Sequence, residues 1–119
     1  MSPLASFKDL KVWQSAIDLA EAVYRITQGF PVHEQYGLTA QIRRASVSIA
    51  SNIAEGHQRT RPAYINHIQI ALGSLAEVET QLVLAVRLRI CREDDAKVVQ
   101  STIDRVGQML HALLRSLRT

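Results

Sequence analysis

Residues 30–61 read FPVHEQYGLTAQIRRASVSIASNIAEGHQRTR, and this stretch decides the fold. It opens with a helix-starting proline, contains the pair Arg43–Arg44 followed by a run of small residues, and ends in Glu55–Gly56 and two further arginines. Between positions 38 and 61, four arginines and one glutamate give a charge of +3, which equals the formal net charge of the whole chain. The rest of the chain is therefore neutral overall.

Apolar residues at helical spacing predict four helices, one within this stretch and three around it. Their expected ranges are about 7–28, 36–55, 61–90, and from 93 to the end. We expect Gly29 to end the first helix in a left-handed conformation and Gly56 to stop the second. Thr60 is the expected N-cap of the third helix, with a proline in its first turn. Within the third helix, we expect Gly73 to mark a close helix crossing.

Composition favours packed helices over a sheet. The chain has 119 residues, of which 47% are hydrophobic but only 5% aromatic, so Leu, Ile, Val and Ala fill the core. Short connections and heptad-like seams predict an all-α fold, an antiparallel up-down-up-down four-helix bundle that forms a single domain over residues 1–119. The apolar residues never form the unbroken run of about 18 that indicates a membrane span. The start lacks a signal-peptide pattern, so we expect a soluble cytoplasmic protein.

Two apolar seams run side by side along the first predicted helix. One seam consists of Leu10, Trp13, Ile17, Ala20 and Tyr24, and the other of Val12, Ala16, Leu19, Val23 and Ile26. Together they cover about 200° of the helix, well beyond the roughly 100° that one core requires. A helix with so wide an apolar face packs against more than its own bundle. We therefore expect a homo-oligomer.

No constellation of residues indicates catalysis, a metal or a cofactor. The four histidines, His33, His57, His67 and His111, form no His-x-x-x-His or Glu-x-x-His pair on a core face. The serines of the second helix lie on no sharp turn, and the single cysteine has no histidine nearby in sequence. Glu77 and Glu79 are two residues apart and so do not share a helix face. We expect a protein that is not an enzyme.

The candidate nucleic-acid-binding residues are Arg43, Arg44, Arg59 and Arg61. Exposed guanidinium groups bind phosphates, and each contact makes the affinity depend on salt. Consecutive arginines lie 100° apart on a helix, so one member of the Arg43–Arg44 pair can flank the core while the other points outward. The alternative is that these arginines are ordinary surface residues, or form salt bridges within or between subunits. In that case the protein is an interaction scaffold with no nucleic-acid role.

The central stretch resembles a known family. The pattern FP-x-x-E-x-YGL-x-x-Q-x-RRA-x-x-SI-x-SNIAEG-x-x-R, present from Phe30 to Arg59, is similar to the four-helix-bundle family also called large-subunit ribosomal RNA intervening-sequence proteins. The resemblance extends over essentially the whole chain, through FKDLKVWQSAIDLA, IALGSLAEVETQL and GQMLHALLRSL. It implies an antiparallel four-helix bundle that assembles as a homopentamer.

The resemblance also bears on partners. The accessory protein of diversity-generating retroelements is similar, and is a basic pentameric barrel that binds nucleic acid and its partner reverse transcriptase. The implied partners are therefore other copies of this chain, RNA or DNA, and a partner protein, with no membrane. Arg43, Arg44 and Arg59 match family positions, whereas Arg61 does not.

Overall fold

The computed structural model describes residues 6–119, and within these residues it contains four α-helices and no strands. The helices are α1 (Lys11–Thr27), α2 (Leu38–His57), α3 (Arg61–Arg87) and α4 (Glu93–Arg118). Short 3-10 helices at Phe7–Asp9 and Val32–Glu34 precede α1 and α2. The prediction of an all-α protein with four helices is confirmed.

The four helices pack side by side along most of their length. Each contacts the next in sequence, and α1 also contacts α4. The domain measures 46 × 22 × 21 Å, so its long dimension is close to the roughly 40 Å that the 27 residues of α3 span. The start of α2 lies beside the end of α3, as the hydrogen bond between Gln41 and Gln81 shows. The end of α2 lies beside the start of α3, as the pair Asn52–His67 shows. These contacts are compatible with the predicted up-down-up-down order.

Each helix contributes one buried stripe to a single core. In α1 this stripe is the second predicted seam, in which Ala16, Leu19 and Val23 are fully buried. The largest fully buried side chains of the other helices are Ile42, Ile49, Ile53, Ile68, Val78, Leu82, Val99, Val106 and Leu110. The first seam of α1 lies on the flank of the core, and Ile17 and Tyr24 on it are 40% and 43% exposed.

The C-terminal ends of α1 and α2 differ from the sequence prediction. Gly56 does not stop α2, because the helix continues through it to His57 and buries Gly56 against α3. At the end of α1, Gly29 is not left-handed, since no glycine in the described residues has a positive φ. Instead Gln28, Gly29 and Phe30 donate backbone hydrogen bonds to carbonyls three residues earlier, which tightens the last turn.

The end of α3 is determined by Arg89, whose backbone has a left-handed conformation. The helix ends at Arg87, three residues before the predicted end, because Arg89 has φ 58°. This turn of the backbone brings the N–H groups of Ile90 and Cys91 to the carbonyl of Ala85, at 2.8 and 3.1 Å. The bonds satisfy a helix-terminal carbonyl in the manner of a Schellman motif, here with arginine in the position that glycine usually occupies.

The α3 helix is apolar on its outward side as well as in the core. Ile70, Leu84 and Leu88 are 44%, 45% and 56% exposed, and Gly73 lies on the same side. A side chain at Gly73 would meet no atom within 4 Å, so the predicted close crossing is not made within the described chain. We call Ile70, Gly73, Leu84 and Leu88 the α3 outer surface. It has no covering element in the described part of the chain.

By length and composition, α3 is the one helix among the described residues that could cross a membrane. Its most apolar window of 18 residues has a mean hydropathy of 1.2, and 39% of that window is buried. The helix packs against both α2 and α4, as a core helix does. Its apolar composition is accounted for by this packing together with the α3 outer surface.

Candidate nucleic-acid interface

Arg43 joins α2 to the end of α1. Its Nε donates a 2.8 Å hydrogen bond to Oγ1 of Thr27, and its guanidinium lies 4.6 Å from the centre of the Tyr24 ring. Thr27 is buried and donates its own hydroxyl proton to the carbonyl of Val23 at 2.8 Å. Arg43 is half-buried, and it is fixed inside the protein by one of its five N–H groups and by the contact with the Tyr24 ring.

Arg44 is exposed and lines two shallow grooves, one on each side of α2. The groove toward α1 also contains Tyr24, Tyr36 and Val47, and Tyr36 is 90% exposed. The groove toward α3 contains Glu77. Arginine beside exposed aromatic rings is the combination that binds single-stranded nucleic acids, and it is also enriched where proteins contact each other.

Arg59 and Arg61 lie at the turn between α2 and α3, and both are exposed. Nη1 of Arg61 donates a 3.2 Å hydrogen bond to the backbone oxygen of Thr119, which joins this turn to the end of α4. Along α2 the distance from Arg44 to His57 is about 20 Å at 1.5 Å per residue. The four predicted arginines therefore form two separate pairs, one on the flank of the bundle and one at its end.

The small and polar residues of α2 hold it against α3. The hydroxyls of Ser48 and Ser74 hydrogen-bond to each other at 2.9 Å, and Asn52 donates to the backbone oxygen of Ser48 at 2.9 Å. Nδ1 of His67 lies 2.9 Å from Oδ1 of Asn52. One turn later the backbone of Gly56 lies directly against α3. The SNIAEG segment is thus the place where the two helices approach most closely.

The titratable groups with perturbed pKa values do not form a reactive site. Burial raises the pKa of the Cys91 thiol, and the carboxylate of Asp95 raises it further. A thiol of this kind stays protonated and is a poor nucleophile. Burial likewise raises the pKa of Tyr64. Residues 6–119 contain no group of three His, Cys, Asp or Glu side chains placed to hold a metal ion.

Four further basic residues lie at the same end of the bundle as Arg59 and Arg61. They are Lys8, Lys11, Arg115 and Arg118, and all are exposed. The sequence analysis did not group them with the arginines of the central stretch, because they lie near the two ends of the chain. Only the packing of α1 against α2 and of α3 against α4 brings them to one end.

The different roles of Arg43 and Arg44 can be measured. Replacing Arg43 by methionine removes the bond to Thr27 and the contact with Tyr24, so we expect a loss of about 1–2 kcal/mol in the free energy of unfolding. Replacing Arg44 by methionine removes no hydrogen bond within the described subunit, and we expect the free energy of unfolding of the single subunit to change by less than about 0.5 kcal/mol. Urea unfolding of both variants measures the difference. Equal losses would contradict the assignment of Arg43 as the structural member of the pair.

The chain is similar to one described protein family and to a protein of known structure. A family model described as "23S rRNA-intervening sequence protein" matches residues 8–112. The chain is also similar to a crystal structure of a protein with unknown function from the S23 ribosomal protein family of Bacteroides thetaiotaomicron VPI-5482, at 25% sequence identity and a TM-score of 0.78. That match covers 87% of this chain and 97% of the other. No curated protein matches the chain.

Proposed function

Because this chain belongs to the 23S rRNA-intervening sequence protein family, we propose that it is a non-enzymatic, homo-oligomeric helical bundle that contacts nucleic acid through exposed arginines. The observation that carries the proposal is the availability of Arg44, Arg59 and Arg61. All three are exposed, and within residues 6–119 none of them has an Asp or Glu carboxylate oxygen within 4.0 Å. Arg61 uses one N–H group on the oxygen of Thr119 and keeps the others. Guanidinium groups without an acidic partner can each take a phosphate oxygen.

The two glutamates of the central stretch, Glu34 and Glu55, form no salt bridge with these arginines in the described chain. Oε1 of Glu34 accepts a 3.0 Å hydrogen bond from the backbone N–H of Leu38, in the first turn of α2. Oε2 of Glu55 lies 3.9 Å from Nδ1 of His67. Salt bridges within the subunit therefore do not account for the arginines of the central stretch.

Self-association is supported by two apolar surfaces that residues 6–119 leave uncovered. The first, which we call the α1–α2 apolar surface, consists of Ile17, Tyr24 and Val47, which are 40%, 43% and 44% exposed. The second is the α3 outer surface. We propose that the first surface of one subunit packs on the second surface of the next. A contact between two different surfaces is heterologous, and repetition around an axis closes a ring.

The charges near the two apolar surfaces favour this pairing. The α1–α2 apolar surface adjoins Arg43 and Arg44, which line the groove next to it. On α3, by contrast, Glu77 lies on the same side as Ile70 and Leu84, whereas Glu79 accepts a hydrogen bond from Gln100 of α4. Opposite charges at the margins of apolar surfaces favour one docking partner over others. The expected subunit number of five comes from the family resemblance.

A protein-interaction scaffold with no nucleic-acid role is the second candidate. It is favoured by the engagement of Arg43, which hydrogen-bonds Thr27 and stacks on Tyr24 inside the subunit. In that case the remaining arginines contribute to contacts between subunits or with a partner protein. Removing their charge then lowers the stability of the assembly. Adding nucleic acid has no effect on the protein, with or without these substitutions.

Light scattering with and without single-stranded RNA tests the proposal. We expect a mass near five times the 13.3 kDa of one chain, an increase when a single-stranded RNA of arbitrary sequence is added at low salt, and reversal at high salt. A pentamer that ignores RNA would favour the scaffold. A monomer of 13.3 kDa would contradict the proposed assembly.

A further inference from the structure

We propose that the main phosphate-binding surface of this protein is one end of the bundle, where α1, α3, α4, the 3-10 helix before α1 and the turn after α2 contribute basic side chains. We call this surface the basic pole. It consists of Lys8, Lys11, Arg59, Arg61, Arg115 and Arg118. The inference rests on the proposed nucleic-acid role and assigns that role to a surface. Four of these six residues lie outside the central stretch that carries the family pattern.

Contacts between elements place the six residues at one end. The bond from Arg61 to Thr119 joins the start of α3 to the end of α4. The 3-10 helix Phe7–Asp9 packs on both α1 and α2. Arg43 contacts Tyr24 and Thr27 near the end of α1, so the start of α2 lies there and the end of α2 lies toward the start of α1.

The charge at this pole exceeds that of the whole molecule. Six basic residues stand there with two acids, Asp9 and Glu55, which gives +4 compared with +3 for the chain. The rest of the chain holds eight basic and nine acidic residues and so carries −1. The central stretch has the same charge as the chain, but the fold divides its arginines between two places. The basic pole is thus the strongest positive surface that the packing produces.

The basic residues of the pole are available to a ligand. All six side chains are exposed, and in the described part of the chain none has an Asp or Glu carboxylate oxygen within 4.0 Å. The end of the bundle measures about 22 × 21 Å, so a polyanion that lies across it can contact several of these charges at once.

The pair Arg43–Arg44 is a weaker phosphate site by comparison. Arg43 is held by Thr27 and Tyr24, and Glu77 lines one of the two grooves beside Arg44. One free guanidinium with an acid nearby attracts a phosphate less than six exposed cations do. We assign this pair to the contact between subunits and assign nucleic acid to the basic pole.

The chemistry of the pole indicates that it binds the phosphate backbone without regard to sequence. Bases are read by stacking or by hydrogen bonds to their edges, whereas phosphate contacts carry no sequence information. Tyr24 and Tyr36, the exposed aromatic residues in the described chain, lie toward the opposite end, beside the end of α1 and the start of α2. The ligand class is therefore a nucleic acid held by its phosphates.

Two variants of equal charge test this assignment. The pole variant combines Arg59→Gln, Arg115→Gln and Arg118→Gln, and leaves Arg61 and its bond to Thr119 intact. The control variant combines Arg87→Gln, Arg92→Gln and Lys97→Gln, three exposed cations around the turn between α3 and α4 at the other end. Both variants lower the net charge by three, so any effect of total charge is the same in each.

The measurement is fluorescence anisotropy of a labelled single-stranded RNA of arbitrary sequence, titrated at several salt concentrations. Each lost phosphate contact lowers the slope of log K against log salt by about 0.7, so the pole variant should lose about 2 from the slope and about 100-fold in affinity at 0.1 M salt. The control variant should stay close to the unsubstituted protein. A second RNA of different sequence should bind equally well.

The outcomes separate the inference from the proposed function on which it rests. If the unsubstituted protein does not bind RNA, the proposed function fails. If it binds and the pole variant binds equally well, nucleic acid is bound elsewhere and the inference is overturned. If both variants lose affinity to the same extent, total charge explains the binding, and the assignment to this pole is again overturned.

Discussion

Replacing Gly56 by alanine is expected to lower the free energy of unfolding by about 1–3 kcal/mol, because the added methyl group has no space. A Cβ at this position would lie 2.8 Å from Cβ of His67 and 2.8 Å from Cδ1 of Tyr64. It would also lie 3.3 Å from Cα of Tyr64, which belongs to the backbone of α3. A rotamer change cannot relieve contacts with a Cα and a Cβ, so α3 must move away from α2. Urea unfolding, with far-UV circular dichroism to follow helix content, measures the loss.

Gly29 provides the matched control for this substitution. It is exposed, it does not have a positive φ, and its added Cβ would meet only the carbonyl oxygen of Ile26, at 3.7 Å. Alanine there should be neutral or should stabilise the protein by up to about 1 kcal/mol, because it restricts the unfolded chain. A Gly56→Ala variant as stable as the Gly29→Ala variant would show that α2 and α3 do not approach closely at this point.

The helices could be predicted from the sequence because each buries a continuous stripe, and a stripe is visible as periodicity. At Gly56 the sequence prediction and the structure disagree, because α2 continues through this residue to His57. In terms of helix propensity, glycine followed by polar residues reads as a terminator. In the structure the same glycine is retained within the helix because His67 and Tyr64 of α3 occupy the space of a side chain. Sequence alone does not show which helix lies opposite a given residue.

The candidate site was predictable to a similar extent. The 100° angle between consecutive residues predicts that Arg43 and Arg44 differ in environment, and the structure confirms that Arg43 is half-buried and Arg44 exposed. The basic pole was not predictable, because Lys11 and Arg115 are more than a hundred positions apart. A charge count over a sequence window includes only residues that are near in sequence. It misses charged residues that are far apart in sequence and that the packing of helices brings to one surface.

Replacing Val47 by glutamate is expected to dissociate the assembly into single chains of 13.3 kDa. Val47 is 44% exposed on the α1–α2 apolar surface and lines the same groove as Tyr24 and Arg44. In the proposed ring this surface is covered by the α3 outer surface of the next subunit, so a carboxylate there is removed from water. Pairing with Arg43 or Arg44 on the same helix recovers about 0.2–0.5 kcal/mol of that cost. The cost of several kcal/mol corresponds to weakening each contact by on the order of 100-fold or more. Light scattering over a range of protein concentrations measures the dissociation.

Val98 provides the control because it is also an exposed valine within a helix. It lies on α4, outside both apolar surfaces, and is 68% exposed. Val98→Glu should therefore leave the mass unchanged, and Leu84→Glu on the α3 outer surface should dissociate the assembly as Val47→Glu does. Circular dichroism must show that the three variants remain helical, because only folded subunits report on the contact. If Val47→Glu dissociates the assembly and Leu84→Glu does not, the contact joins two copies of the α1–α2 apolar surface, and a symmetric dimer replaces the ring.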